Sequence, residues 1–218
     1  MKYLLAVLTG ALLIGCSEER AEPGPVARSL AVAVLPDQSI EALTSRHGPL
    51  IEYLETTTSF DIELVIPSDY SDLLDQFDAG EIDLAWFGGV TFTQAEARSQ
   101  ADPLVFRDID LEFTSCYLTN IDETRSTVQE FEGEDFAFGP QLSTSGHLMP
   151  RYFLEGRGMY PEQFFSSTRH TTGHDQTARL VSDGIVVLGV ANCVIVQSLL
   201  ENKALGGNVR IIETTPPY

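Results

Sequence analysis

"DIELVIPSDYSDLLDQFDAGEIDLAWFGG", residues 61–89, packs two changes of hydrophobic period into one short run. "DIELVIP" reads as a strand and "SDYSDLLDQFDAG" as an amphipathic helix with Gly80 as its stop. "EIDLAWFGG" reads as a second strand that ends in paired glycines. A strand, a crossing helix and a strand in series predict parallel pairing, because only a crossover of this length returns the chain to the same edge. Upstream, "SLAVAVLP" is a strand and "SIEALTSRHGPLIEYLE" has apolar residues at helical spacing; downstream, "TFTQAEARSQ" is a helix. Three strand–helix units imply a parallel sheet flanked by helices.

The pattern then changes. "PLVFRDIDLEFTSCYLTN" is extended and "IDETRSTVQEFEGE" is polar and turn-rich. A second α/β series follows: strand "DFAFG", helix "SGHLMPRYFLEGRG", strand "FSSTRHTT", helix "HDQTARLVSDG", strand "IVVLGVAN", helix "VIVQSLLENKA" and strand "NVRIIET". The expected fold class is α/β with two lobes, residues 30–111 and 112–218, and a cleft between them. Ligands of open α/β sheets sit outside the carboxyl ends of the strands.

The amino terminus carries an address. "MKYLLAVLTGALLIGC" has one lysine and an apolar run too short to span a bilayer, so residues 1–15 read as a secretory signal peptide. "LIGC" resembles a bacterial lipobox, which makes Cys16 the expected lipid-modified residue and anchors the chain to a membrane outside the cytoplasm. The polar, proline-containing stretch to Ser29 reads as a flexible tether. Formal charge is -19, with 13 basic against 32 acidic residues and no basic block, so nucleic acid is excluded as a partner. Cys116 and Cys193 lie in a compartment that permits a disulfide, but spacing alone leaves their pairing open. No metal-ligand spacing occurs, the histidines are scattered, and no cofactor or metal is expected.

Several strand ends carry polar or aromatic clusters. In "FAFGPQLSTSG", Ser143, Thr144 and Ser145 follow a Gly-Pro turn where a helix begins, adding hydroxyl donors to unpaired backbone N–H groups and making an anion cradle. One hydroxyl suffices for ordinary N-capping, and three exceed that need. "TTGHDQTARL" places His174 at another helix start, facing the cluster if neighbouring strand ends lie side by side, or capping its own helix. Tyr70 stands at a third turn. Trp86, Phe87, Gly88 and Gly89 stand at a fourth, where glycine permits close backbone approach.

These blocks together, with "PLIEYLE", "GHD" and Pro150 after "STSG", resemble the phosphonate-binding branch of extracytoplasmic solute-binding proteins of ABC importers, with a type II periplasmic-binding fold. "LAWFGGVTFTQA", "FTSCYLTN", "STSGHLMPRYFL" and "TTPPY" are similar to a subgroup labelled selenate-binding. The resemblance runs from about residue 30 to Tyr218. It implies a monomer that closes on a tetrahedral oxyanion (phosphonate, phosphite, phosphate or selenate) and delivers it to an inner-membrane permease. Ser143, Thr144, Ser145, His174 and Tyr70 match the anion-holding positions, and Phe87 stands where the phosphonate binders often have tyrosine. Val187 replaces a usual aspartate, whereas Asn192 agrees. Members of the family continue past "TTPPY" with return strands and C-terminal helices, so a C-terminally truncated second lobe is expected.

Phosphate and many phosphonates retain a proton that a carboxylate can accept, whereas selenate only accepts hydrogen bonds. With donors at the site and no acid placed among them, the sequence leans to a fully ionised anion. Besides a non-functional truncated fragment, two other readings compete. One is a sensory lipoprotein that signals to a membrane receptor. The other is a hydrolase with Ser143 or Ser145 as nucleophile and His174 as base, which lacks a G-x-S-x-G elbow.

Overall fold

The computed structural model describes residues 28–218. The signal peptide, Cys16 and the tether up to residue 27 lie outside the described residues. The elements are β1 (Arg28–Val34), α1 (Ile40–Thr57), β2 (Phe60–Val65), α2 (Tyr70–Asp78), β3 (Leu84–Trp86), α3 (Gly89–Ser99), β4 (Ser115–Asn120), β5 (Asp135–Phe138), α4 (Met149–Gly156), α5 (Pro161–Phe164), β6 (Ser167–His170), α6 (His174–Ser182), β7 (Leu188–Asn192), α7 (Cys193–Glu201) and β8 (Val209–Thr214).

The first lobe is the expected parallel sheet, in the order β2-β1-β3. Its strands end where local chemistry starts the next helix. Asp69 accepts hydrogen bonds from the N–H groups of Ser71 and Asp72 and thereby fixes the first turn of α2, with Tyr70 as its first residue. Gly80, in the left-handed region at φ 73°, lets the chain leave α2 and turn into β3. Ala33, Leu73 and Ile82 form the centre of this lobe, with Phe77 and Phe87 packed against them. The first strand starts at Arg28, within the stretch that composition assigns to the tether.

The second lobe is a five-stranded sheet in the order β6-β5-β7-β4-β8. Strands β5, β6 and β7 are parallel, and β4 runs antiparallel to both β7 and β8. Successive residues point to opposite faces, so each strand feeds two cores. Cys116, Leu118, Ala137 and Ala191 pack under α6 and α7 with Val181 and Val196. Tyr117, Phe136, Phe138, Leu188 and Val190 pack on the other face with Leu154 and Phe165. The bridge that spacing left open is formed: Cys116 and Cys193 are disulfide-bonded, with Cα atoms 5.0 Å apart.

Two hydrogen bonds between main chain and the opposing lobe hold the cleft closed. The His174 N–H donates to the Asp37 carbonyl at 2.8 Å, and the Val90 N–H donates to Thr144 Oγ1 at 2.9 Å. No helix among the described residues is long and apolar enough to cross a membrane.

Candidate functional site

The turn after β5 is built by unusually close backbone packing. Gly139 N–H donates to the Gly146 carbonyl at 2.8 Å, and the chain between them folds back on itself. A single wide turn, Thr144–Leu148, leads into α4, with the N–H groups of His147 and Leu148 both donating to the Ser143 carbonyl. This departs from the plain helix start that the sequence suggests. Ser143 precedes this turn, and Thr144 and Ser145 are its first two residues.

Each hydroxyl oxygen of the cluster already accepts a hydrogen bond. Ser143 Oγ accepts from the Gly146 N–H at 2.9 Å, Thr144 Oγ1 from the Val90 N–H, and Ser145 Oγ from Asn192 Nδ2 at 3.1 Å. Among the described residues, none of the three donates its proton to a protein acceptor. Tyr70, across the cleft, is 4% exposed, and its hydroxyl has no hydrogen-bond partner. Ser143 lies close enough to act on that phenol, but no bond of proper geometry joins them. Four buried or half-buried O–H groups with unused protons therefore meet where the lobes close. A buried polar group without a partner costs on the order of 1–3 kcal/mol, and the Tyr70 hydroxyl is such a group.

His174 completes the cluster. It is 3% exposed, and its Nδ1 accepts from the Asn192 backbone N–H at 3.2 Å. The proton of the neutral ring therefore sits on Nε2, which lies 3.4 Å from Ser143 Oγ and acts as donor towards it. Burial pushes the imidazole down to about 4, so the ring is neutral at physiological pH. Gly173, which makes no side-chain cap, precedes α6, so His174 turns inward instead of capping its helix.

This geometry bears on the hydrolase reading. A base for Ser143 needs an unprotonated nitrogen facing that hydroxyl and an acid orienting the far one. Here the facing nitrogen carries the proton and the far nitrogen is engaged by a backbone N–H, so the pair is arranged to donate, not to abstract.

The same shift predicts a pH profile. Above pH 6.5 His174 is neutral in the folded and the unfolded chain alike. As pH falls from 6.5 towards 4 the unfolded chain takes up a proton that the folded chain refuses, so stability declines over that window and levels off below it. The expected loss is roughly 2–3 kcal/mol. Urea midpoints measured across this range should fall in the wild type and fall less in His174→Gln.

The other residues singled out from sequence divide. Tyr70, Ser143, Thr144, Ser145 and His174 are brought together. Phe87 is not: its apolar ring packs edge-on to Phe77, 5.2 Å between centroids, in the first-lobe core. Trp86 lies beneath the Arg107 guanidinium at 5.2 Å. Asp175 lines an outward-facing hollow of about 390 Å³ with Gln38, Ser68 and Arg179. No group of metal-ligating side chains occurs among the described residues.

Asp37 and Ser115 escaped the sequence reading, and Asn192 entered it only as a position that agrees with the family. Asp37, just after β1, is an acid at the cleft: burial raises its pKa, and burial first and then the Asp37 charge push the Tyr70 phenol up. The lean towards a fully ionised anion rested on the lack of such an acid, and Asp37 removes that premise. Asn192 caps α7 through its side-chain carbonyl while its amide nitrogen holds Ser145 Oγ. Ser115 Oγ donates to the Ser145 carbonyl at 2.7 Å and lies 2.6 Å from the Tyr218 hydroxyl, so the tail braces the cradle from behind.

Known proteins share this architecture. Residues 32–218 match the family described as "ABC transporter, phosphonate, periplasmic substrate-binding protein". A Prochlorococcus marinus protein named "Probable ABC transporter phosphite binding protein PhnD1" is 28% identical over 227 residues, covering 100% of this chain and 75% of that protein. The "Phosphate-import protein PhnD" of Mycolicibacterium smegmatis is 27% identical over 187 residues, covering 80% of this chain and 58% of that protein. The solved structure of the Prochlorococcus PhnD1 in complex with methylphosphonate superposes with a TM-score of 0.82, covering 88% of this chain and 74% of that one. A binding component of an ABC phosphonate transporter from Pseudomonas aeruginosa, 17% identical, shares the fold with a TM-score of 0.75 over 88% of this chain and 67% of that one.

Proposed function

Because the chain belongs to the family of periplasmic phosphonate substrate-binding proteins of ABC transporters, we propose that it captures a phosphonate or phosphite between its lobes and presents it to a membrane permease. The observation that carries this reading is the set of unused O–H protons on Tyr70, Ser143, Thr144 and Ser145, with the Nε2–H of His174 turned to the same cluster at Ser143 Oγ. Neutral O–H and N–H donors buried where the lobes meet bind a tetrahedral anion through charge-assisted hydrogen bonds, each roughly twice as strong as a neutral one. The net charge of -19 does not oppose this, because screening over about 8 Å mutes distant carboxylates while donors act at contact.

Asp37 supports an anion that keeps a proton. In its carboxylate form Asp37, whose pKa burial raises, accepts a hydrogen bond from the ligand's P–OH, whereas selenate and sulfate offer that form no proton and only repulsion. Cys16 is proposed as the lipid anchor and residues 1–15 as the leader that exports the chain.

The test is a thermal-shift titration with methylphosphonate, phosphite, phosphate, sulfate and selenate. A phosphorus oxyanion at about 100 times its Kd should raise the melting temperature on the order of 5–10 °C, with sulfate and selenate giving little. His174→Ala and Ser145→Ala should each weaken the effect while leaving the chain folded. A folded chain that responds equally to all five anions, or to none, would overturn the reading.

A further inference from the structure

Two further histidines, His147 and His170, grip the loop that leads into the cradle. His147 Nδ1 lies 2.7 Å from the Gln141 carbonyl and His170 Nδ1 lies 3.0 Å from the Gly139 carbonyl, so each ring donates from that nitrogen. The two rings meet edge to face at 4.5 Å, and both lie against Phe138, the last residue of β5. On its far side His147 Nε2 accepts from Arg151 Nε at 3.0 Å. Arg151 is itself held by Glu162, through both guanidinium nitrogens, and by Glu155. A continuous relay thus runs from Glu162 at α5 through Arg151 on α4 and His147 to the carbonyl two residues before Ser143.

We infer that His147 is a positioning residue for the anion cradle: by tying the Gln141 carbonyl to Arg151 it fixes the loop that aims Ser143, Thr144 and Ser145. The inference rests on the proposed function for the identity of the ligand, but not for the mechanics of the loop. Without the tie, Gly139–Leu142 keeps, among the described residues, only the Gly139–Gly146 and Ser143–Pro140 backbone bonds and the His170 contact. Hydroxyl donors that must converge on one anion are then left to wander, and small misplacements of such groups weaken binding steeply.

The tie requires a neutral ring. Protonation would turn Nε2 from an acceptor into a donor facing the Arg151 Nε–H, and would set a cation beside both Arg151 and His170. Partial burial, His170 and Arg151 push the His147 pKa below the ordinary histidine range, while the Gln141 carbonyl and Glu162 oppose that shift. The neutral clamp therefore persists through mild acid and fails below it.

Glutamine has the right chemistry to stand in, with an amide N–H for the Gln141 carbonyl and an amide oxygen for Arg151, and it does not titrate. Methylphosphonate affinity and ligand-free amide hydrogen exchange of residues 139–146 would be measured for wild type, His147→Ala and His147→Gln. His147→Ala should bind about tenfold more weakly, the equivalent of one lost hydrogen bond, and its cradle amides should exchange faster. His147→Gln should restore both to within about twofold, with the melting temperature little changed in either variant. The wild type and His147→Gln should keep the same affinity ratio from about pH 7.5 through mild acid, and below about pH 5 the wild type should lose affinity relative to His147→Gln, a ratio in which protonation of the ligand cancels. Wild-type exchange rates in His147→Ala, or a His147→Gln variant as impaired as the alanine, would overturn the inference. Slow wild-type exchange that His147→Ala accelerates, in a chain indifferent to methylphosphonate, would support the clamp and reject the ligand.

Discussion

Gly146→Ala is expected to abolish oxyanion binding and to destabilise the second lobe by at least about 3 kcal/mol, towards the upper end of overpacking effects. A Cβ at this position would lie 2.8 Å from His174 Cε1, 2.9 Å from the Gly139 Cα and 3.0 Å from Ser143 Oγ. Two of these are side chains proposed to bind the anion, and the third is backbone that cannot swing away. Relief requires either pushing the His174 ring off the Asn192 N–H or breaking the Gly139–Gly146 hydrogen bond on which the turn closes. Either route separates Ser143 from His174, so affinity should fall more than a hundredfold even in molecules that remain folded. Gly156→Ala is the control: it lies on α4, where an added Cβ meets nothing within 4 Å, and alanine is the better helix former. Urea denaturation and calorimetric titration of the two variants decide the matter. Wild-type affinity in Gly146→Ala would mean that the cradle is not built on this close approach.

The parts of the fold visible in the sequence are those fixed by local chemistry. Helix starts could be placed because Ser39 and Asp69 each satisfy N–H groups within their own turn. The cradle was visible because three consecutive hydroxyls exceed the needs of one cap. Other features depend on distances that no local pattern encodes. Phe87 shows its strand-end position in the sequence but not the side to which its ring turns, and an apolar ring beside Phe77 gains more from the core than from an anion. Strand β4 reads as extended, yet its antiparallel place between β7 and β8 comes from pairing across long stretches of chain. The single turn of α5 begins with Pro161, which suits a first helical position, but it is too short to show a period. Asp37 is unremarkable until His174 is brought against its carbonyl.

Replacing both bridge cysteines, Cys116→Ala with Cys193→Ala, should lower stability by about 4 kcal/mol through the freedom returned to the unfolded chain, with lost packing adding to this. The loop closed by the bridge spans 77 residues and contains the cradle, His147 and His174, so most of the second lobe's site lies inside it. Both sulfurs are nearly fully buried, Cys116 at 1% and Cys193 at 3% exposure. A reductant therefore reaches them only when the lobe opens, and in the folded protein reduction should proceed at the rate of opening. The effect on binding should be much smaller than the effect on stability. Cys193 follows Asn192, which supplies one hydrogen bond to His174 and one to Ser145, but Asn192 is also pinned by the N–H groups of Val194 and Ile195. Those capping bonds survive loss of the sulfur, so the geometry facing the anion should persist in every molecule that stays folded. Equilibrium denaturation with and without reductant, paired with affinity measured well below the unfolding midpoint, separates the two roles. A large loss of affinity at unchanged stability would make the bridge part of the site's geometry, whereas the opposite result follows from the structure: a staple on the unfolded chain, set beside a turn that holds itself.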